Sequence, residues 1–144
     1  MFSYETQVKV RYAETDQMGV VYHGNYAQYY EIARTECFEA SSGMTYASME
    51  AEGVMLPILE LQSKYLKPAL YNQVLTIKSI VQELPTVRLH VEYEIYNEAK
   101  ELINIGKTTL VFVDKETRRP CHPPENFMKN IRKHFWFMIL EVRF

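Results

Sequence analysis

Cys37 and Cys121 are the only cysteines in the sequence. They lie too far apart for the paired spacing of a zinc ligand set and make no disulfide framework, so no metal is expected and a reducing compartment is. A basic stretch followed by a continuous apolar one is missing from the first residues, MFSYETQVKVRYAETD, so no export signal is read there. The longest apolar run, Phe135 to Leu140, falls well short of the roughly 18 residues that a membrane span needs. An excess of one charge sign is missing too: 16 Lys and Arg stand against 18 Asp and Glu. No global field recruits polyanions or anionic lipid, so nucleic acid is not an expected partner and an anionic ligand would be held by a few local cations. Repeats, low-complexity tracts and linkers are also absent. The expectation is a cytoplasmic protein with no transmembrane segment and no cofactor.

What is present is enough for one core: 144 residues, 47% of them apolar, read as a single domain over 1–144. Residues 7–12 alternate, with Val8, Val10 and Tyr12 on one side, as in a half-buried strand. Tyr26, Tyr29, Tyr30, Ala33, Cys37 and Ala40 then recur at spacings of three and four, the stripe of a helix that ends near Ser41, Ser42 and Gly43. Strand periodicity returns over 54–66, 73–83, 87–97 and 102–113, with short connections that imply antiparallel pairing. In the third of these, Val87, Leu89, Val91, Tyr93 and Ile95 face one way and Arg88, His90, Glu92 and Glu94 the other. Pro123 and Pro124 precede a short helix from Glu125. This order predicts a two-layer α+β domain, a curved five-stranded antiparallel sheet packed on a long central helix.

The link between the first strand and the helix carries the chemistry: Tyr12-Ala-Glu-Thr-Asp16-Gln-Met-Gly19-Val-Val-Tyr22-His23-Gly24-Asn25-Tyr26. It resembles the signature of the 4-hydroxybenzoyl-CoA thioesterase-like branch of the hotdog superfamily, particularly the bacterial acyl-CoA thioesterases associated with the Tol-Pal system. The resemblance continues through Glu31-Ile-Ala-Arg34-Thr-Glu36 and Tyr65-Leu-Lys-Pro68-Ala69 and covers residues 5–130. It implies the hotdog fold, hydrolysis of acyl-CoA thioesters, and sites built between two subunits of a homodimer or homotetramer.

Thioester hydrolysis needs a group that attacks the carbonyl carbon or activates water, and donors for the oxyanion that forms. Asp16 suits the first role, as nucleophile or general base. Read alone, a Thr-Asp pair ahead of a glycine is a turn cap. Unpaired amides near residues 22–25, at the start of the helix, suit the second role, and Gly24 lets a substrate carbonyl come close. The resemblance puts the oxyanion amide at or next to His23 and gives Tyr22 and His23 supporting catalytic roles, with His23 as principal base the second choice. Asn25 reads as a cap whose amide also reaches substrate. Glu31 and Arg34, three residues apart, read as a helix-surface ion pair. Tyr29, Tyr30 and Phe38 read as core, and Tyr26, Met44, Leu56, Ile58 and Leu59 as candidates for an acyl channel. Arg88 and Lys64 read alone are solvated charges; the resemblance makes Arg88 the first choice for the CoA phosphates, with Lys64 after it.

The tail, 134–144, departs from the branch in being apolar; the reading extends the last helix into an oligomer contact. Alternatives left open are an acyl-carrier-protein thioesterase, another hotdog enzyme such as a dehydratase, and a non-catalytic acyl-CoA binder.

Overall fold

Alternating β-branched and aromatic residues make most of the sheet. In the computed structural model, which describes residues 1–135, strands β1 (Phe2–Lys9), β3 (Ile58–Tyr65), β4 (Val74–Val81), β5 (Arg88–Tyr96) and β6 (Leu102–Val111) form one antiparallel sheet in the order β1-β4-β5-β6-β3. Strand β5 buries Leu89, Val91, Tyr93 and Ile95 and turns Arg88, His90, Glu92 and Glu94 outward, as its period of two requires. Helix α1 (Tyr26–Ser42) lies across the inner face and stops where Gly43 takes a left-handed conformation, φ 70°, and donates its N–H to the Glu39 carbonyl. Helix α2 (Tyr46–Ala51) and helix α3 (Glu125–Arg132) follow, α3 packing on the later part of α1 through Phe127 and Ile131. The long central helix on a curved sheet is the hotdog architecture. None of the described helices is long and apolar enough to cross a membrane.

Several expectations are corrected. The first strand runs from Phe2 to Lys9 rather than over 7–12, because it is an edge strand with only Thr6 fully buried, so its alternation is faint. Tyr12 leaves the sheet for a 3-10 turn, Tyr12–Glu14, and is 78% exposed. The 54–66 segment divides at Pro57: β2 (Val54–Met55) pairs with β7 (Val113–Asp114) in a separate ribbon. Helix α2 went unread. Ala40 is exposed. The Glu31–Arg34 ion pair does not form: Arg34 is 5% exposed and turns inward, donating to the hydroxyls of Tyr93 (3.2 Å) and Tyr46 (3.3 Å), while Glu31 stays at the surface. The predicted core aromatics Tyr29, Tyr30 and Phe38 are buried. The expected extension of the last helix through the apolar tail falls on 136–144, outside the described residues.

Candidate active site

The chain between β1 and α1 is held by its own backbone. Asp16 N–H donates to the Val20 carbonyl (2.9 Å) and Gly19 N–H to the Asp16 carbonyl (3.0 Å), closing a turn that needs φ 78° at Gly19. Val21 N–H reaches the Ala69 carbonyl (2.9 Å), which docks the turn on the segment after β3. Asp16 is half-buried; its Oδ1 accepts the Met18 N–H (2.9 Å), and its Oδ2 accepts no hydrogen bond from the described residues. The carboxylate is therefore both a turn cap and an open acceptor.

A second 3-10 turn, His23–Asn25, leads into α1. Tyr22 N–H donates to the Glu14 carbonyl (2.9 Å) and Asn25 N–H to the Tyr22 carbonyl (2.9 Å). The amides of His23 and Gly24 occupy the first positions of the turn, where a donor has no acceptor inside the helix. Tyr22 is 48% exposed; its ring lies beside that of His23, with centroids 4.3 Å apart, and against Gly24, where a Cβ would stand 2.9 Å from Tyr22 Cε2. Gly24 thus makes room for that ring. Asn25 does not cap the helix with its side chain; its Nδ2 donates instead to the Glu14 carbonyl (2.8 Å).

An open groove of about 310 Å³ joins these parts. Asp16 and His23 line it, with Val20, Val21 and Tyr26 on one side and Tyr65, Leu66, Lys67 and Pro68 on the other. Tyr65 donates its hydroxyl to the His23 carbonyl (3.1 Å) and sets its ring edge-on to Tyr26, at 5.1 Å. Another hollow of about 290 Å³, on the outer face of the sheet around His90, Glu92 and Lys107, contains none of the loop residues.

Lys64 and Arg88 do not border the groove. Lys64 precedes Tyr65 on β3 and so faces the opposite side of the sheet, and Arg88 sits at the start of β5 opposite Val111. The cation in the groove wall is Lys67, which is paired with Glu101. Of the expected channel residues, Tyr26 lines the groove, Met44 and Leu56 pack against the core, and Ile58 and Leu59 are exposed on β3. Among the described residues no His, Cys, Asp and Glu group converges as a metal site. Burial pushes the Cys37 thiol up to about 12, so it offers no thiolate nucleophile.

Sequence reasoning passed over Glu14. It is 6% exposed and accepts at Oε1 from Arg11 N–H (2.8 Å) and the Tyr29 hydroxyl (2.9 Å), and at Oε2 from Arg11 Nε (3.0 Å). Burial alone would raise its pKa; the Arg11 N–H, the Tyr29 hydroxyl and the Arg11 guanidinium outweigh that and hold it below its ordinary value. The available signal was the Arg-x-x-Glu spacing around the first turn.

Residues 10–131 match the model of the thioesterase-like superfamily, and the chain belongs to that family. It is 36% identical over 114 residues to a putative acyl-CoA thioesterase, YneP, of Bacillus subtilis, covering 79% of this chain and 82% of that protein. It is 38% identical over 127 residues to the acyl-CoA thioesterase YbgC of Helicobacter pylori, covering 83% and 92%. A solved DHNA-CoA thioesterase from Staphylococcus aureus superposes with a TM-score of 0.86 at 34% identity, over 99% of this chain and 95% of that one. The resemblance carried by the loop signature is thereby confirmed.

Proposed function

We propose that this protein is an acyl-CoA thioesterase of the cytoplasm, a single domain in which Asp16 is the catalytic carboxylate and the turn at His23–Asn25 supplies the oxyanion site. The observation that carries the reading is the groove shared by the unengaged Oδ2 side of Asp16 and the start of that turn. The names of the relatives support the class of substrate.

In one route an Asp16 oxygen bonds to the acyl carbon, the C–S bond breaks, and the CoA thiolate leaves and takes a proton from solvent. Water then cleaves the mixed anhydride and restores the carboxylate. In the other, Asp16 takes a proton from the water that attacks the acyl carbon, the C–S bond breaks as the tetrahedral intermediate collapses, and the proton passes from Asp16 to the departing CoA thiolate. In both, the carbonyl oxygen gains charge beside the His23 and Gly24 amides, where the dipole of α1 favours it. Tyr22 and His23 flank the thioester, and the Asn25 amide holds the turn. The assignment of Arg88 and Lys64 to the CoA phosphates rests on the family, since neither borders the groove within one protomer.

The acting unit in this reading is a homodimer or homotetramer. Strand β3 closes one edge of the sheet and exposes Ile58 (46%), Leu59 (56%) and Leu61 (39%). An edge strand with open backbone groups and apolar side chains is suited to pairing with a second copy.

The test is free-thiol release from short, long and aromatic acyl-CoAs by wild type and Asp16→Asn. Turnover lost in Asp16→Asn while acyl-CoA binding persists supports the assignment; undiminished turnover in the variant overturns it. Single-turnover hydrolysis in oxygen-18 water separates the routes, because attack of water on the carboxylate side of an anhydride leaves label in Asp16.

A further inference from the structure

Asp16 and the amides of His23 and Gly24 lie on an irregular loop, yet catalysis requires their separation to be held to a fraction of an ångström. Glu14 is bonded to chain on both sides of this separation. Its carboxylate takes the Arg11 main-chain and guanidinium donors from just past the end of β1 and the Tyr29 hydroxyl from the beginning of α1, while Tyr29 itself is 1% exposed. Its main-chain carbonyl accepts both Tyr22 N–H (2.9 Å) and Asn25 Nδ2 (2.8 Å). Two residues further on is Asp16.

Peptide planarity carries the constraint to the oxyanion site. Tyr22 C=O is committed to the Asn25 N–H, and across a trans peptide the His23 N–H points the opposite way, out of the start of the helix. The position of Tyr22 is in turn set by its bond to Glu14. The buried side chain therefore ties α1 to the loop at Tyr29, and the main-chain carbonyl it holds in place ties the turn of the oxyanion amide to the same loop. A buried carboxylate is costly unless its lone pairs are filled, and here both oxygens are occupied.

We infer that Glu14 is a positioning residue that sets the distance between the Asp16 carboxylate and the amides of the His23–Asn25 turn; the inference rests on the thioesterase reading above. Glu14 does not border the groove and touches no reacting atom. Glu14→Gln keeps the shape but puts an amide N–H₂ where an acceptor is needed, and Tyr29→Phe removes only the hydroxyl that ties the carboxylate to α1.

The experiment measures kcat and KM for acyl-CoA hydrolysis, per folded molecule, in wild type, Asp16→Asn, Glu14→Gln and Tyr29→Phe. Glu14→Gln is expected to lower kcat by about 10- to 100-fold with KM within about threefold, the pattern of a lost transition-state alignment. Tyr29→Phe is expected to move kcat in the same direction by a smaller factor. A merely structural role would lower the melting temperature and leave kcat per folded molecule unchanged, and that result overturns the inference. If Glu14→Gln does not fold, Tyr29→Phe decides: unchanged kcat overturns the assignment, and reduced kcat with steady KM supports it. Turnover that depends on Asp16 but not on Glu14 or Tyr29 overturns this inference alone. Turnover indifferent to Asp16 overturns the thioesterase mechanism, and the Glu14 assignment falls with it.

Discussion

Helix α1 carries a polar cluster at each of two levels, and they differ in what they leave open. At its beginning, Glu14 gathers donors from Arg11 and Tyr29 and, through its carbonyl, from Tyr22 and Asn25. At the next residue of the helix, Tyr30 donates to Asn104 Oδ1, Asn104 Nδ2 donates to Ser63 Oγ (3.1 Å), and Ser63, 2.7 Å from the Tyr30 hydroxyl, closes the ring as donor because the phenol proton is already used. Beside it, Arg34 and Thr108 share the Tyr93 hydroxyl, and the rings of Tyr30 and Tyr93 stack at 4.5 Å. The second cluster is closed on itself inside the core and locks the helix to β3, β5 and β6. The first ends in a loop whose Asp16 and His23 line a groove. Similar chemistry thus fixes a packing angle in one place and holds a groove-lining loop in the other.

The comparison predicts that changes at the loop lower activity with little loss of stability, and changes at the inner cluster do the reverse. The largest effect is expected for Asp16→Asn: kcat falls by about 10²- to 10⁴-fold, the usual range for a positioned acid or base, while the denaturation midpoint stays near that of wild type. A large stability loss in that variant would break the distinction. Gly106→Ala comes next. A Cβ there would stand 2.7 Å from Tyr30 Cε2, so the ring must shift, and a loss of about 1–3 kcal/mol is expected in urea unfolding, with kcat per folded molecule unchanged. Tyr30→Phe leaves Asn104 and Ser63 without the phenol and is expected to cost about 1–3 kcal/mol, again with little change in kcat.

The smallest effect sharpens the comparison by pH. The Glu14 carboxyl has a folded pKa held below its ordinary value of 4.5, so the stability it contributes is present above that value and is lost as pH falls through the folded one. The difference in unfolding midpoint between wild type and Glu14→Gln is expected to shrink as pH drops below 4.5 and to stay constant above it. A difference that grows on acidification would contradict the depressed pKa.

Much of this was legible in advance where the signal is local. The alternation of Leu89, Val91, Tyr93 and Ile95 named the inner face of β5, and the spacing of Tyr26, Tyr29, Tyr30 and Ala33 named the buried side of α1. The loop from Tyr12 to Tyr26 was singled out by its resemblance to a family signature, and Asp16, His23 and Tyr26 of that loop line the groove. Where two readings share one spacing, the sequence could not choose. Glu31 and Arg34 fit a surface pair, yet Arg34 lies on the buried side and bonds Tyr93 and Tyr46. Glu14 resembles any loop carboxylate until Tyr29 is brought over it. Lys64 and Lys67 carry the same side chain, and only the side of the strand and the course of the segment after it put Lys67 in the groove wall.

The sequence by itself determined the order of the five sheet strands around α1 and α3, the inner faces of β5 and α1, and the loop that carries Asp16, because periodicity and turn chemistry act over a few neighbouring residues. Tertiary structure alone decided which distant groups meet: Ala69 on Val21, Tyr65 on the His23 carbonyl, Tyr30 over Gly106 and Asn104. Such partners are selected by the docking of α1 on a twisted sheet, where one packing angle sets every long-range hydrogen bond at once.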